Sequence, residues 1–198
     1  AISEDTYLLQ GKERRLVIGK GSPGERPYHG FKLQTYDQLQ QVRSFFLSQG
    51  LELLESPSIV FDKEAVAIRD PDGWLCIFGL PRADLPPYPA TSIATANNLA
   101  GRLQHVVVAT NNLPSMMKFY ENILGYIPSD YCDVDINDPY SRKVAFYRSD
   151  PEHHSFAVFA GSEVRADHHS YEVDCWNDIR DWADHMSAIN IDIWWGPG

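Results

Sequence analysis

The chain has 198 residues, 43% of them hydrophobic and 22% charged, a composition that supports a buried core in one large domain or two small ones. Seventeen Lys and Arg against 27 Asp and Glu leave a formal charge of −10 with no basic stripe, which excludes a nucleic-acid binder and favours a small-molecule partner. Cys76, Cys132 and Cys175 are scattered, with no CxxC pair, and no signal peptide or long apolar run is present, so a reducing, cytoplasmic setting away from membranes is expected.

Taken in chain order, the first elements are RLVIGKG from Arg15 and YHGFKL from Tyr28, followed by an amphipathic helix that ends at Gly50. Two short strands follow, AVAIRD and WLCIFG, around the turn DPDG (70–73). Residues 86–98, PPYPATSIATANN, read as a linker. RLQHVVVAT (102–110) is a β-rich run, and Asn111 or Asn112 can cap a helix with Pro114 in its first turn. Leu113, Met116, Met117, Tyr120 and Ile123 recur at helical spacing, and Gly125 sits where a C-terminal cap belongs. The strands VAFYRS, HSFAVFA and HSYEV and a helix at about 177–189 complete the series.

Sliding the chain against itself by 140 positions aligns Arg15–Pro57 with Ser155–Pro197 without a gap. RLVIGKG falls on SFAVFAG, and YHGFKL falls on HHSYEV. The apolar positions and the Gly and Pro punctuation agree. Two copies of a βαβββ unit are expected, in an α+β fold: residues 1–85, a linker at 86–99, and residues 100–198. The offset leaves counterparts of 102–140 and of 58–80 to be found outside the two ends of the chain.

Four of the seven histidines form two pairs, His153-His154 and His168-His169, each at the head of an apolar run. Alternation on a strand puts His105 on one face with Val107 and Ala109, His154 with Phe156 and Val158, and His168 with Ser170 and Glu172. A single histidine at a strand start is usually a packed or surface residue. Three on separate strands of one copy could instead converge on a divalent metal, for which neutral imidazole is a common ligand. No cysteine lies near them in spacing, which disfavours a zinc–thiolate site. Two histidines and a carboxylate with open positions is the pattern of non-haem Fe(II) oxygenases. His185 and His29 read as packing or surface residues.

The stretches RLQHVVVATNNLPSMMKFYENILGY, DPEHHSFAVFAG and DHHSYEV, with WWGPG closing the chain, resemble the type I extradiol catechol dioxygenases of the vicinal oxygen chelate superfamily. The resemblance covers nearly all of residues 100–198, and residues 1–85 look like that family's catalytically empty first module. It implies tandem βαβββ modules whose curved mixed sheets enclose a metal site in the second module. It also implies cleavage of a catechol ring with Fe(II) and O₂, Mn(II) being the alternative metal, in a homo-oligomer. On this match the metal ligands are His105 and His168, the latter five residues before Val173, and His154 is the acid/base residue with His153 beside it. Val107 and Phe146 are candidate walls for the substrate ring. The third ligand of the family, a Glu, is expected beyond Gly198. The 140-residue offset places Tyr28 over His168 and Arg14 over His154, and the family's carboxylate position falls on Ile77. The first module is therefore expected to hold no metal. Two other readings share the fold: a glyoxalase-like isomerase or lyase, which draws ligands from both modules, and a sequestering protein of the bleomycin-resistance type, which lacks the histidines.

Overall fold

The structure is a computed structural model that describes residues 4–11, 13–85, 99, 101–135, 137–138 and 141–194. The expected linker thus lies outside the described residues except at Leu99, as does the chain's end after Trp194. The elements are β1 (Thr6–Gln10), β2 (Arg15–Gly19), β3 (Tyr28–Lys32), α1 (Tyr36–Ser48), β4 (Leu54–Glu55), β5 (Val66–Arg69) and β6 (Leu75–Gly79). They continue with β7 (Arg102–Thr110), α2 (Leu113–Asn122), β8 (Ile127–Asp133), β9 (Arg142–Arg148), β10 (Phe156–Ala160), β11 (Arg165–Glu172) and α3 (Trp176–Ala188). The fold is α+β, with strand-rich mixed sheets and few helices, arranged as βαβββ units: β3-α1-β4-β5-β6 and β7-α2-β8-β9-β10. The bounds of α3 each lie 140 residues after those of α1.

Two compact units are formed. One comprises residues 1–20, 87–104 and 169–198, the other residues 21–86 and 105–168. In the first unit, β1 and β2 pair as an antiparallel hairpin with Thr6 opposite Gly19. The Arg14 guanidinium donates to the backbone carbonyls of Leu103 and Gln104, and Arg102 pairs with the Glu172 carboxylate. In α3 none of the residues is buried.

The second unit carries the main core. β3 runs parallel to β6, and β5 pairs antiparallel with β6 and with β4, giving the order β3-β6-β5-β4. The other sheet has the order β11-β7-β10-β9-β8, with β10 parallel to β7 and antiparallel to β9. The helices begin where the sequence supplies caps. Thr35 and Gln38 form a capping box at α1, and the Asn112 side chain accepts from the Ser115 amide at α2. Each helix buries one stripe: Leu39 and Phe46 on α1, and Leu113, Met116, Phe119 and Tyr120 on α2. These residues meet Ile68, Cys76, Val108, Tyr147, Phe156 and Val158 in one apolar cluster. Phe156 is fully buried and stacks on Tyr120 at a ring separation of 4.3 Å.

One buried charge belongs to this core. The turn 70–73 closes with Gly73 at φ 87°, a conformation glycine adopts without strain. Asp70 shapes the turn by accepting the amides of Asp72 and Trp74 on Oδ1. Its Oδ2 accepts from the Tyr120 hydroxyl at 3.3 Å and faces Arg26 at 3.7 Å. Burial pushes the Asp70 carboxyl above its usual range, against the pull of the Arg26 guanidinium.

Candidate active site

The site is built on the face of the five-stranded sheet opposite helix α2. The register sets Phe156 beside Val106 and Tyr147, and Ala157 beside Val107 and Phe146. Side chains alternate, so Val106, Val108, Phe156 and Tyr147 turn one way, and Val108, Phe156 and Tyr147 enter the core. His105, Val107, Ala157 and Phe146 belong to the other face. Val107 is 7% exposed, and His105 is half-buried on the same strand.

Three imidazoles meet there. The rings of His105 and His154 are 4.4 Å apart, and those of His105 and His168 are 5.5 Å apart with an edge-to-face angle of 77°. Phe146 stands edge-on to His154 at 5.0 Å. The five residues singled out from the sequence, His105, Val107, Phe146, His154 and His168, thus share one region, but by a different route in two cases. The expectation that His154 shares a face with Phe156 and Val158 is corrected: β10 begins only at Phe156, and the irregular backbone before it lets the His154 ring turn towards His105 instead. The pair at 168–169 lies inside β11 rather than at its start, so alternation places the two rings on opposite faces. His168 meets His105, whereas His169 packs on Tyr171 at 5.4 Å.

The environment differentiates the rings. His154 Nδ1 is 2.9 Å from His153 Nδ1, so one of them donates and the other accepts. Burial, followed by the neighbouring His153 and His168, holds the His154 pKa below the usual 6.5, which favours the neutral ring. His168 Nδ1 is 2.7 Å from Asp167 Oδ2, and Asp167 Oδ1 is 2.5 Å from Arg165 Nη1. Asp167 was not singled out from the sequence. Its signal there is only a carboxylate directly preceding a candidate ligand, which has no meaning until the side chains are placed.

As nitrogen donors, His105 and His168 suit two positions around a divalent first-row ion, imidazole being a ligand that favours Fe and Zn over Mn. Among the described residues, no group of three or more His, Cys, Asp or Glu side chains is arranged to hold a metal. The equivalent positions of the first copy are filled differently. Ile77 is fully buried, and Tyr28 accepts a 3.3 Å hydrogen bond from the Ser58 hydroxyl. Neither forms part of a cluster that could hold a cation.

The comparison with known proteins agrees with this architecture. The family model described as Glyoxalase/Bleomycin resistance protein/Dioxygenase superfamily matches residues 102–198. The chain is 23% identical over 162 residues to a 3-methylcatechol 2,3-dioxygenase of Pseudomonas putida, covering 78% of the chain and 56% of that protein. The chain therefore spans little more than half the length of that curated relative. Among solved structures, an extradiol ring-cleaving dioxygenase from B. fuscum superposes with a TM-score of 0.78 at 21% identity, over 99% of this chain and 56% of that one. A Mn(II)-bound glyoxalase from Novosphingobium aromaticivorans superposes with a TM-score of 0.71 at 18% identity, over 99% of this chain and 64% of its own. The shared fold is the vicinal oxygen chelate fold, and among the described residues no helix is long and apolar enough to cross a membrane.

Proposed function

Because residues 102–198 belong to the Glyoxalase/Bleomycin resistance protein/Dioxygenase superfamily, we propose that this chain forms part of an extradiol dioxygenase, which opens a catecholic ring next to its two hydroxyls using O₂. The observation that carries this reading is the meeting of His105, His154 and His168 on one face of one sheet. His105 and His168 are the protein's imidazole ligands to Fe(II), with Mn(II) as the alternative ion. Two-thirds of a two-histidine, one-carboxylate set is then in place. In the same reading residues 1–85 are a non-catalytic module joined through 86–99 to the catalytic one, and the protein is cytoplasmic and homo-oligomeric.

The roles follow from the contacts. When bound, the ion supplies Lewis acidity that eases ionisation of the catechol hydroxyls. His154 is the base that takes that proton and later returns it to the opening ring. This role requires His154 Nδ1 to be the donor of the pair with His153, which leaves the lone pair on Nε2 to take the proton, and the depressed pKa favours the neutral ring. Phe146, edge-on to His154, and Val107, beside His105 on β7, exclude water and flank the aromatic ring.

Glyoxalase-like enzymes usually take ligands from both copies, and the buried Ile77 and the Tyr28–Ser58 pair of the first copy speak against that reading. The deciding experiment loads the full protein with Fe(II) anaerobically, adds a catechol, and follows O₂ uptake with the yellow ring-opened product. Stoichiometric O₂ consumption supports the reading. Binding of the catechol without O₂ uptake or ring opening overturns it.

A further inference from the structure

We propose that Asp167 is the positioning residue for the His168 imidazole, and that the turn at Gly24 holds the strand segment carrying Asp167 in register. The inference rests on the reading of His168 as a metal ligand and names what fixes that ligand.

A carboxylate can only accept hydrogen bonds. With Asp167 Oδ2 at 2.7 Å, His168 Nδ1 must carry the proton, and a neutral ring then keeps its lone pair on Nε2, the nitrogen left for an ion. The second carboxylate oxygen is held by Arg165 at 2.5 Å, so the acceptor cannot swing away without breaking an ion pair. Histidine ligands are commonly oriented in this way by an acceptor on the far nitrogen.

The backbone of this segment is held from elsewhere in the chain. The Ala166 amide donates to the Gly24 carbonyl at 2.7 Å. Gly24 lies in a turn closed by the Glu25 amide on the Ser22 carbonyl and by the Ser22 amide on the Glu25 carboxylate at 2.9 Å. Its φ is 81°, and a Cβ there would stand 3.4 Å from the Cβ of Arg165. Two residues on, the largely buried Arg26 faces the Asp70 carboxylate at 3.7 Å and the Trp74 ring at 5.3 Å. The turn is thus anchored in the core and reaches the strand directly before Asp167. The module without a metal site contributes this brace.

The test uses the full protein and two readouts. Long-range ¹⁵N NMR of metal-free protein reports the His168 tautomer, and titration with Mn(II) alone reports affinity. Wild type is expected to show His168 protonated at Nδ1. Asp167→Leu is expected to lose that single tautomer and to weaken Mn(II) binding by about 10- to 100-fold. Asp167→Asn keeps an acceptor oxygen and should recover most of the affinity. Gly24→Val, strained by its positive φ, should weaken Mn(II) without altering any ring nitrogen. An unchanged tautomer and affinity in Asp167→Leu would overturn the role of Asp167, and unchanged affinity in Gly24→Val would remove the turn from it. If wild type shows the Nδ1–H tautomer, lost in Asp167→Leu, yet takes up no Mn(II), positioning stands and the ligand reading of His168 fails instead.

Discussion

At the residue scale, the histidines divide by what surrounds them. His154 is partly buried between His105 and Phe146, and its pKa is lowered by burial and by two histidine neighbours. In metal-free protein its ring should titrate below 6.5 by NMR; a value at or above 6.5 would show that these neighbours do not act as described. The sign for stability follows. As pH falls through 6.5 the unfolded chain takes up a proton before the folded one does, so this histidine's contribution is full above that pH and declines below it. His154→Phe separates chemistry from ligation. It should leave iron binding intact while ring opening slows by roughly 10²- to 10⁴-fold, the usual worth of positioned proton transfer. Iron lost from that variant would make His154 a ligand, and unchanged turnover would make it a structural residue. The histidines could be picked out in the sequence because imidazole is rare and chemically distinctive. Asp167 could not, because one Asp among many gains meaning only from the side chain it touches.

At the scale of elements, helix α2 makes a clean contrast. Met116 is fully buried and Lys118, two residues on, is exposed. Met116→Ala should cost about 2–5 kcal/mol in denaturant unfolding, and Lys118→Ala no more than about 0.5 kcal/mol. Equal effects would mean that the helix does not bury the stripe its periodicity marks. That stripe, the Asn112 cap and strands β5, β6, β7, β9 and β10 were legible because pattern and packing coincide. Strand β8 was not. IPSDYCD carries a proline and two aspartates, and it tolerates them by lying at the sheet edge with two register irregularities against β9. The hairpin strand β1 and the two-residue β4 also escaped notice, the latter because two residues carry no periodicity. His154 shows the limit of alternation, which holds only within a strand, and its residue lies just outside one.

At the scale of the whole molecule, the 140-residue offset is visible in both sequence and structure, most clearly in helices α1 and α3. A βαβββ unit recurs along the chain, and in the proposed reading the metal chemistry belongs to one copy. Where the second copy has His168 the first has Tyr28, hydrogen-bonded to Ser58, and the fully buried Ile77 leaves no carboxylate for an ion. Fold and chemistry are therefore separable here, as expected when function resides in a few side chains grafted on a shared frame. The proposed site requires that His105 and His168 together hold one metal ion. Its most direct test is anaerobic Fe(II) titration of the full protein and of four single alanine variants, at positions 105, 168, 153 and 169. One Fe(II) per chain is expected in wild type and in the His153→Ala and His169→Ala variants, and none in His105→Ala or His168→Ala. Stoichiometric Fe(II) binding that survives loss of His105 or of His168 would contradict it.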